Sequence, residues 1–140
     1  MSHQLDPLLE SWPSQQQGLK EALLTLQQTA TSLPDCTQEL VSRPGVSHSL
    51  RFSLEPRPDG RKRPLFCLLD VVPLEGEYFL SVCFYQEEIN DPQELGNAIP
   101  QGLFGETGYC FDLDDDDPAL VAYLQERIRE AHAAARGGGK

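Results

Sequence analysis

The sequence predicts one α+β domain, in which an antiparallel meander of about four strands is flanked by an N-terminal and a C-terminal amphipathic helix. Helical apolar spacing near both ends of the chain, with three consecutive strand-like segments between them, leads to this prediction. The length of 140 residues suits a single domain. We expect the domain to span residues 1–136, and residues 137–140 to form a flexible glycine-rich tail.

The N-terminal part of the chain carries two helix starts. Asp6-Pro7 is typical of a helix N-terminus with Asp6 as N-cap, and Pro13 keeps that helix short. Ser14 opens the capping-box pattern S-x-x-Q, which predicts a longer helix over about residues 15–32. Apolar residues of this helix recur every three or four positions and share one face: Leu19, Leu23, Leu26, Ala30 and Leu33.

The middle of the chain predicts three strands joined by short turns, after one helical turn expected at residues 36–42. Residues 50–54 alternate apolar and polar, and the Asp-Gly turn at 59–60 leads from them into residues 65–72. A further turn leads to residues 78–85, and the last two segments are apolar on both faces. Both faces of the sheet therefore need cover, either from helices divided between them or from a second copy of the chain, and we favour a homodimer.

Residues 86–108 differ from the strands before them, because prolines and glycines interrupt the apolar pattern. We expect an irregular excursion with a helical turn near residues 92–97, and long excursions of this kind are usually functional. Residues 109–113 alternate again and predict the fourth strand, and Asp117-Pro118 opens the last helix. The buried face of that helix is formed by Leu120, Val121, Leu124, Ile128, Ala131 and Ala135.

The charge of the chain is divided into blocks. The net charge is −11, and residues 64–126 hold fourteen acidic residues and no Lys or Arg. This argues against a general nucleic-acid binder, which needs clustered Lys and Arg. The acidic block is explained by solubility, by a basic protein partner or by a cation-binding surface. The basic cluster of Arg57, Arg61, Lys62 and Arg63 is expected at a hairpin tip, either solvated or facing the acidic half of a second copy.

Cysteine chemistry is not expected to carry the function. Cys36, Cys67, Cys83 and Cys110 form no C-x-x-C motif and lie at no metal-ligand spacing from a histidine. We expect buried free thiols in a reducing cytoplasm, with a Cys67–Cys83 disulfide between neighbouring strands as the alternative. The cytoplasmic location is inferred from an N-terminus without a basic end and apolar core, and from the lack of a membrane-length apolar stretch.

Two further patterns are interpreted as structural. Asp112, Asp114 and Asp116 are spaced like the first ligands of a calcium loop, but its glycine and glutamate anchors are missing. Helix capping and solubility explain Asp114–Asp117, and weak binding of a divalent cation by Asp112–Asp117 is the alternative. The glycines of residues 102–108 lead into a strand without basic residues, which suits tight turns rather than a phosphate loop. We therefore predict neither a metal nor a cofactor.

The small acidic format with helices at both ends is similar to that of bacterial secretion chaperones. The resemblance covers composition and element order, and it assigns no site residue. No catalytic residue is predicted, because no nucleophile motif accompanies His48 or His132. We expect a non-enzymatic, cytoplasmic protein-binding, adaptor or chaperone-like module that acts on neither nucleic acid nor membrane. Its expected contact residues are Glu87, Glu88, Asp91, Glu94, Phe104 and Glu106.

A small ligand-binding protein or enzyme is the alternative function. Its pocket would lie under residues 86–108, with Glu88, Asp91 or Glu106 acting as acid, base or ion ligand. Replacing these carboxylates by amides separates the two hypotheses. Loss of turnover at unchanged stability favours an enzyme, whereas salt-dependent loss of a protein complex favours the binding module.

Overall fold

The computed structural model describes residues 5–137. The helices are α1 (Asp6–Glu10), α2 (Gln17–Thr31) and α3 (Pro118–Arg136), with short 3-10 turns at Ser14–Gln16 and Gln86–Glu88. The strands are β1 (Cys36–Arg43), β2 (Ser47–Leu54), β3 (Cys67–Leu74), β4 (Glu77–Tyr85), β5 (Asn97–Leu103) and β6 (Glu106–Leu113). Of the predicted tail, residues 138–140 lie outside the described residues.

All strands of the described chain form one antiparallel sheet in the order β1-β2-β3-β4-β6-β5. The predicted meander of about four strands is therefore wrong, since the sheet has six strands. The first four strands do follow one another as a meander, whereas β6 lies between β4 and β5. The long helices expected near both ends of the chain are present as α2 and α3.

The sequence prediction missed β1 and β5, and both lie at edges of the sheet. β1 replaces the helical turn expected at residues 36–42, and its side chains are all at least partly exposed, so no apolar alternation marks it. β5 is exposed at every position except Leu103 and contains Pro100, which an edge strand tolerates. The helical turn expected near residues 92–97 is wrong, because a turn closed by Glu94 precedes β5 there.

Helices α2 and α3 pack side by side on one face of the sheet. Leu23 and Leu26 of α2 and Ile128 of α3 are fully buried, in one apolar cluster with Leu69 of β3 and Val82 of β4. Burial of each such side chain contributes roughly 1.5–3 kcal/mol. Of the two expected ways of covering both faces, division of the helices between them is therefore wrong.

The start of α2 is held by a contact that the sequence pattern did not indicate. The capping box expected at Ser14 is not formed, since no side chain caps this helix. The Gln16 carboxamide instead donates to the carbonyl oxygen of Tyr78 at 2.8 Å and accepts from its N–H at 2.7 Å. These two bonds attach the helix start to β4. The N-cap predicted at Asp6 is wrong, because Asp6 is the first residue of α1 and Leu5 is the N-cap. The cap predicted at Asp117 is confirmed, because Asp117 accepts a hydrogen bond from the N–H of Leu120.

Two of the four cysteines are joined. Cys83 and Cys110 face each other across β4 and β6, with 4.1 Å between their Cα atoms, and form a disulfide. The expectation of free thiols is wrong for this pair and holds for Cys36 and Cys67. The sequence pointed to the β3–β4 pair, Cys67 with Cys83, because it did not show that β6 lies beside β4.

Candidate functional site

The side of the sheet opposite α2 and α3, here called the open face, has no helix over it within the described residues. Register places Glu39, Arg51, Leu68 and the Cys83 half of the disulfide in one row across this face. The β2–β3 connection and the β5–β6 hairpin cover one end of it. Three buried residues form a small apolar cluster there: Leu65, Tyr85 and Leu103.

A network of ion pairs closes the covered end of the open face. Arg61 binds both oxygens of Glu88 at 2.6 and 3.2 Å and donates to the Leu65 carbonyl oxygen at 2.7 Å. Arg63 binds both oxygens of Glu106 at 2.9 and 2.6 Å. It also reaches Glu87 at 2.7 Å and Glu88 at 3.2 Å. The network therefore attaches the β2–β3 connection to the start of β6 and to the turn after β4.

This network lies mostly out of solvent. Arg61 and Arg63 are each 6% exposed and Glu88 is 7% exposed. The expectation that the basic cluster forms a solvated tip is therefore wrong for Arg61 and Arg63. Both guanidinium groups already bind carboxylates of the same chain. Buried charges are stable only when paired. Arg61 is paired with Glu88, and Arg63 is paired with Glu87, Glu88 and Glu106.

The arginines also change the acidities of their neighbours. Hydrogen bonds from Arg63 lower the pKa of Glu106, and hydrogen bonds to Glu106 raise the pKa of Arg63 despite its burial. Burial, reinforced by the nearby Glu106 carboxylate, raises the pKa of Tyr85 to about 12. The Arg63 guanidinium lies 4.7 Å from the centre of the Tyr85 ring, and the phenol oxygen has no hydrogen-bond partner among the described residues. Tyr85 therefore stays neutral at physiological pH.

Asp91 organises the loop between β4 and β5. Its carboxylate accepts hydrogen bonds from the N–H groups of Leu95 and Gly96 and from the hydroxyls of Tyr109 and Tyr123. Burial raises the pKa of Asp91, but these four hydrogen bonds lower it more, to about 2. The Asp91 bond in turn raises the pKa of Tyr109. The loop is thereby held against β6 and α3.

The remaining predicted contact residues lie apart from these groups. Glu94 is exposed in a turn, where its φ of 55° is in the left-handed region. Phe104 is 52% exposed, and the Arg51 guanidinium lies 5.3 Å from its ring centre. The structure therefore brings Glu87, Glu88 and Glu106 together, and leaves the other three separate.

A cavity does lie beside residues 86–108, with a volume of about 260 Å³. Its lining includes only one of the carboxylates proposed for catalysis, Asp91. Glu88 and Glu106 face the arginines instead. In the part of the chain that the structure describes, no cluster of His, Cys, Asp and Glu side chains is arranged to hold a metal ion.

The uncovered end of the open face holds residues that the sequence prediction missed. Val72 and Phe79 lie opposite each other on β3 and β4, and Leu74 beside them is 58% exposed. We call these three residues the apolar end. Glu77 lies opposite Leu74, and Asp112 is in the adjacent row of β6. Every second residue along 70–74 faces the same side of the sheet, and this spacing could have indicated the apolar end. It was not recognised, because the residues between them are apolar as well.

Acidic groups surround the apolar end. Asp70 lies beside it in β3, where burial raises the pKa of its carboxyl group, while the Ser49 hydroxyl and the nearby Arg43 and Arg51 lower it. The four carboxylates next to the apolar end are Asp70, Glu75, Glu77 and Asp112. An apolar surface with this rim is suited to apolar side chains flanked by Lys or Arg.

Comparison of the chain with protein-family models, curated proteins and solved structures gave no significant match. Among residues 5–137, every helix falls short of the length and apolarity needed to cross a bilayer.

Proposed function

We propose that this protein is a non-enzymatic protein-binding module that docks a basic partner on the apolar end of the open face. The observation that carries the proposal is the exposure of Leu74 beside Val72 and Phe79, within a rim of carboxylates. Exposed apolar groups with a polar rim mark interaction surfaces. The partner segment would place one or more large apolar side chains against these residues and Lys or Arg against the rim.

The hydrogen bonds of Glu88, Asp91 and Glu106, the carboxylates considered for catalysis, support a binding function rather than an enzymatic one. A general acid or base needs a free position for the substrate's proton. Asp91 accepts four hydrogen bonds, and an arginine binds both carboxylate oxygens of Glu88 and of Glu106. These groups therefore stabilise the loop and the covered end of the open face.

The experiment compares capture of host proteins by the wild-type chain, Leu74→Glu and Leu95→Glu. Leu95 is the control, because it is 47% exposed and lies in the loop between β4 and β5 rather than on β3 or β4. We expect Leu74→Glu to weaken capture of a specific protein about tenfold and Leu95→Glu to leave it unchanged. Capture should also fall as salt rises to about 0.5 M, because the rim is solvent-exposed. Equal capture by the wild type and Leu74→Glu would show that the apolar end does not bind the partner.

The cellular compartment of the protein determines whether Cys83 and Cys110 are oxidised or reduced. The cytoplasmic location expected from the sequence predicts that glutathione and thioredoxin keep the pair reduced, whereas the disulfide favours an oxidising compartment. Acid quenching of host cells, followed by alkylation and mass measurement of the protein, distinguishes the two. Two alkylated thiols at Cys83 and Cys110 support the cytoplasm, and an unmodified pair excludes it.

A further inference from the structure

The two edges of the sheet differ in how well they are protected. β5 carries Pro100 and a register break between Ile99 and Leu103, both of which prevent further pairing. Every residue of β1, by contrast, has a register partner in β2, and the strand contains neither Pro nor Gly. An eight-residue edge of this kind is able to accept another strand.

The hydrogen-bond pattern shows which groups of β1 face outward. The Glu55 N–H donates to the Asp35 carbonyl oxygen, one position beyond the paired Cys36 and Leu54. Because bonding alternates along an antiparallel pair, odd-numbered residues of β1 bond to β2. The N–H and C=O groups of Gln38, Leu40 and Ser42 therefore point away from the sheet.

We propose that β1 pairs antiparallel with β1 of a second copy, about a two-fold axis at Val41. Glu39 and Arg43 are exposed and share the open face with Val41. Neither forms a salt bridge with another described residue, although the charge of Arg43 acts on Asp70 and lowers the pKa of its carboxyl group. In this register Glu39 of each copy lies directly opposite Arg43 of the other, so two ion pairs flank the axis.

Other registers are less favourable. Pairing about Glu39 would set two carboxylates face to face, which is destabilising. Pairing about Leu40 would set Glu39 opposite Val41 and leave both charges without a direct partner. The Val41 register also lets Leu40 and Ser42 of the two copies exchange main-chain hydrogen bonds, because their N–H and C=O groups are the outward-facing ones.

The pairing would join the two sheets into one. A two-fold axis perpendicular to the sheet keeps the helices of both copies on the same side. The two open faces then form one surface that carries two apolar ends. The dimer does not depend on the proposed docking at Leu74, which lies on β3 and not on the edge.

Charge reversal tests the proposal on the full chain by sedimentation velocity over a range of concentrations. Glu39→Arg alone and Arg43→Glu alone each place like charges opposite each other, so the dimer Kd should rise roughly tenfold or more. The double variant E39R/R43E should dimerise like the wild type. An equimolar mixture of the two single variants should form a 1:1 heterodimer, because each supplies the charge that the other lacks.

Cross-linking tests the register. In a Cys36→Ser background, Val41→Cys should form an intermolecular disulfide under mild oxidation much faster than Ser42→Cys, because only residue 41 faces its own copy. Thermal melting of each variant checks that it is folded. A monomer at all concentrations would overturn the proposal. A dimer that tolerates both single charge reversals would also overturn it, as would equal cross-linking at positions 41 and 42. Binding of a host peptide, instead of a second copy, to β1 would overturn it as well.

Discussion

At the scale of single residues, Asp91 shows how a loop without apolar content is held in place. Its carboxylate satisfies two backbone N–H groups of the β4–β5 connection and two tyrosine hydroxyls from β6 and α3. Four donors around one carboxylate favour its charged form, which is why its pKa falls to about 2 although burial acts against this. The charge of Asp91 therefore contributes to folding.

Asp91→Asn should lower the free energy of unfolding at pH 7 by about 1–2 kcal/mol, a value reduced for partial solvent screening. The pKa of Asp91 is lower in the folded state than the ordinary value of 3.8. Its contribution is therefore complete above pH 3.8 and is lost as the pH falls through about 2. Urea unfolding of wild type and variant at pH 7, 4 and 2 measures this. Glu94→Gln in the same loop is the control, and an Asp91 effect that persists unchanged at pH 2 would contradict the explanation.

Glu88 is the residue on which the buried arginines depend most. Glu88→Gln removes the charge facing Arg61 while keeping the side-chain size, and leaving a buried charge unpaired costs about 3–5 kcal/mol. We expect a loss of that order in urea unfolding. Glu87→Gln is the matched control, because the Glu87 side chain is 65% exposed and its loss should cost less than about 1 kcal/mol. An unchanged stability together with loss of an enzymatic turnover would instead support the ligand-binding or enzyme alternative.

At the scale of elements, the Cys83–Cys110 disulfide joins β4 to β6 across 27 residues of chain. The linked segment contains the β4–β5 connection and all of β5, which is largely exposed. A covalent link of this length restricts the unfolded chain and raises the free energy of unfolding. The disulfide therefore stabilises a part of the sheet that is largely exposed.

Reduction of the disulfide should lower the free energy of unfolding by about 3 kcal/mol. Urea unfolding with and without dithiothreitol measures the difference. The double variant C83S/C110S should be less stable than the oxidised wild type and insensitive to the reductant. If the oxidised protein and the double variant unfold at the same urea concentration, the link contributes nothing to stability.

The edges explain why the number of strands was underestimated. β2, β3 and β4 bury one row of apolar side chains under the helices, so alternation or apolar runs reveal them. β1 and β5 lie at the edges and expose most of their side chains, so their sequences do not differ from those of loops. The pairing of β1 and β5 depends on the neighbouring strands, and the local pattern of apolar and polar residues does not specify it.

At the scale of the whole molecule, some of the charged side chains form ion pairs with one another inside the fold. Arg61 and Arg63 neutralise carboxylates of the acidic half of the same chain, where the sequence suggested contacts with solvent or with a second copy. The remaining carboxylates keep the net charge at −11. Three of those beside the apolar end, Glu75, Glu77 and Asp112, are exposed and available to a basic partner.

The sequence by itself determined the α+β class, the long helices near both ends and the caps set by Asp117 and Pro118, because these depend on local spacing and on helix-end chemistry. It also identified Glu87, Glu88, Asp91 and Glu106 as charged groups in an unusual segment. Only the tertiary structure decided what they contact, since Arg61 and Arg63 come from a distant connection and Tyr123 from the last helix. The same holds for the helix-free face and the open β1 edge, because strand order and helix placement are long-range properties that no local pattern encodes.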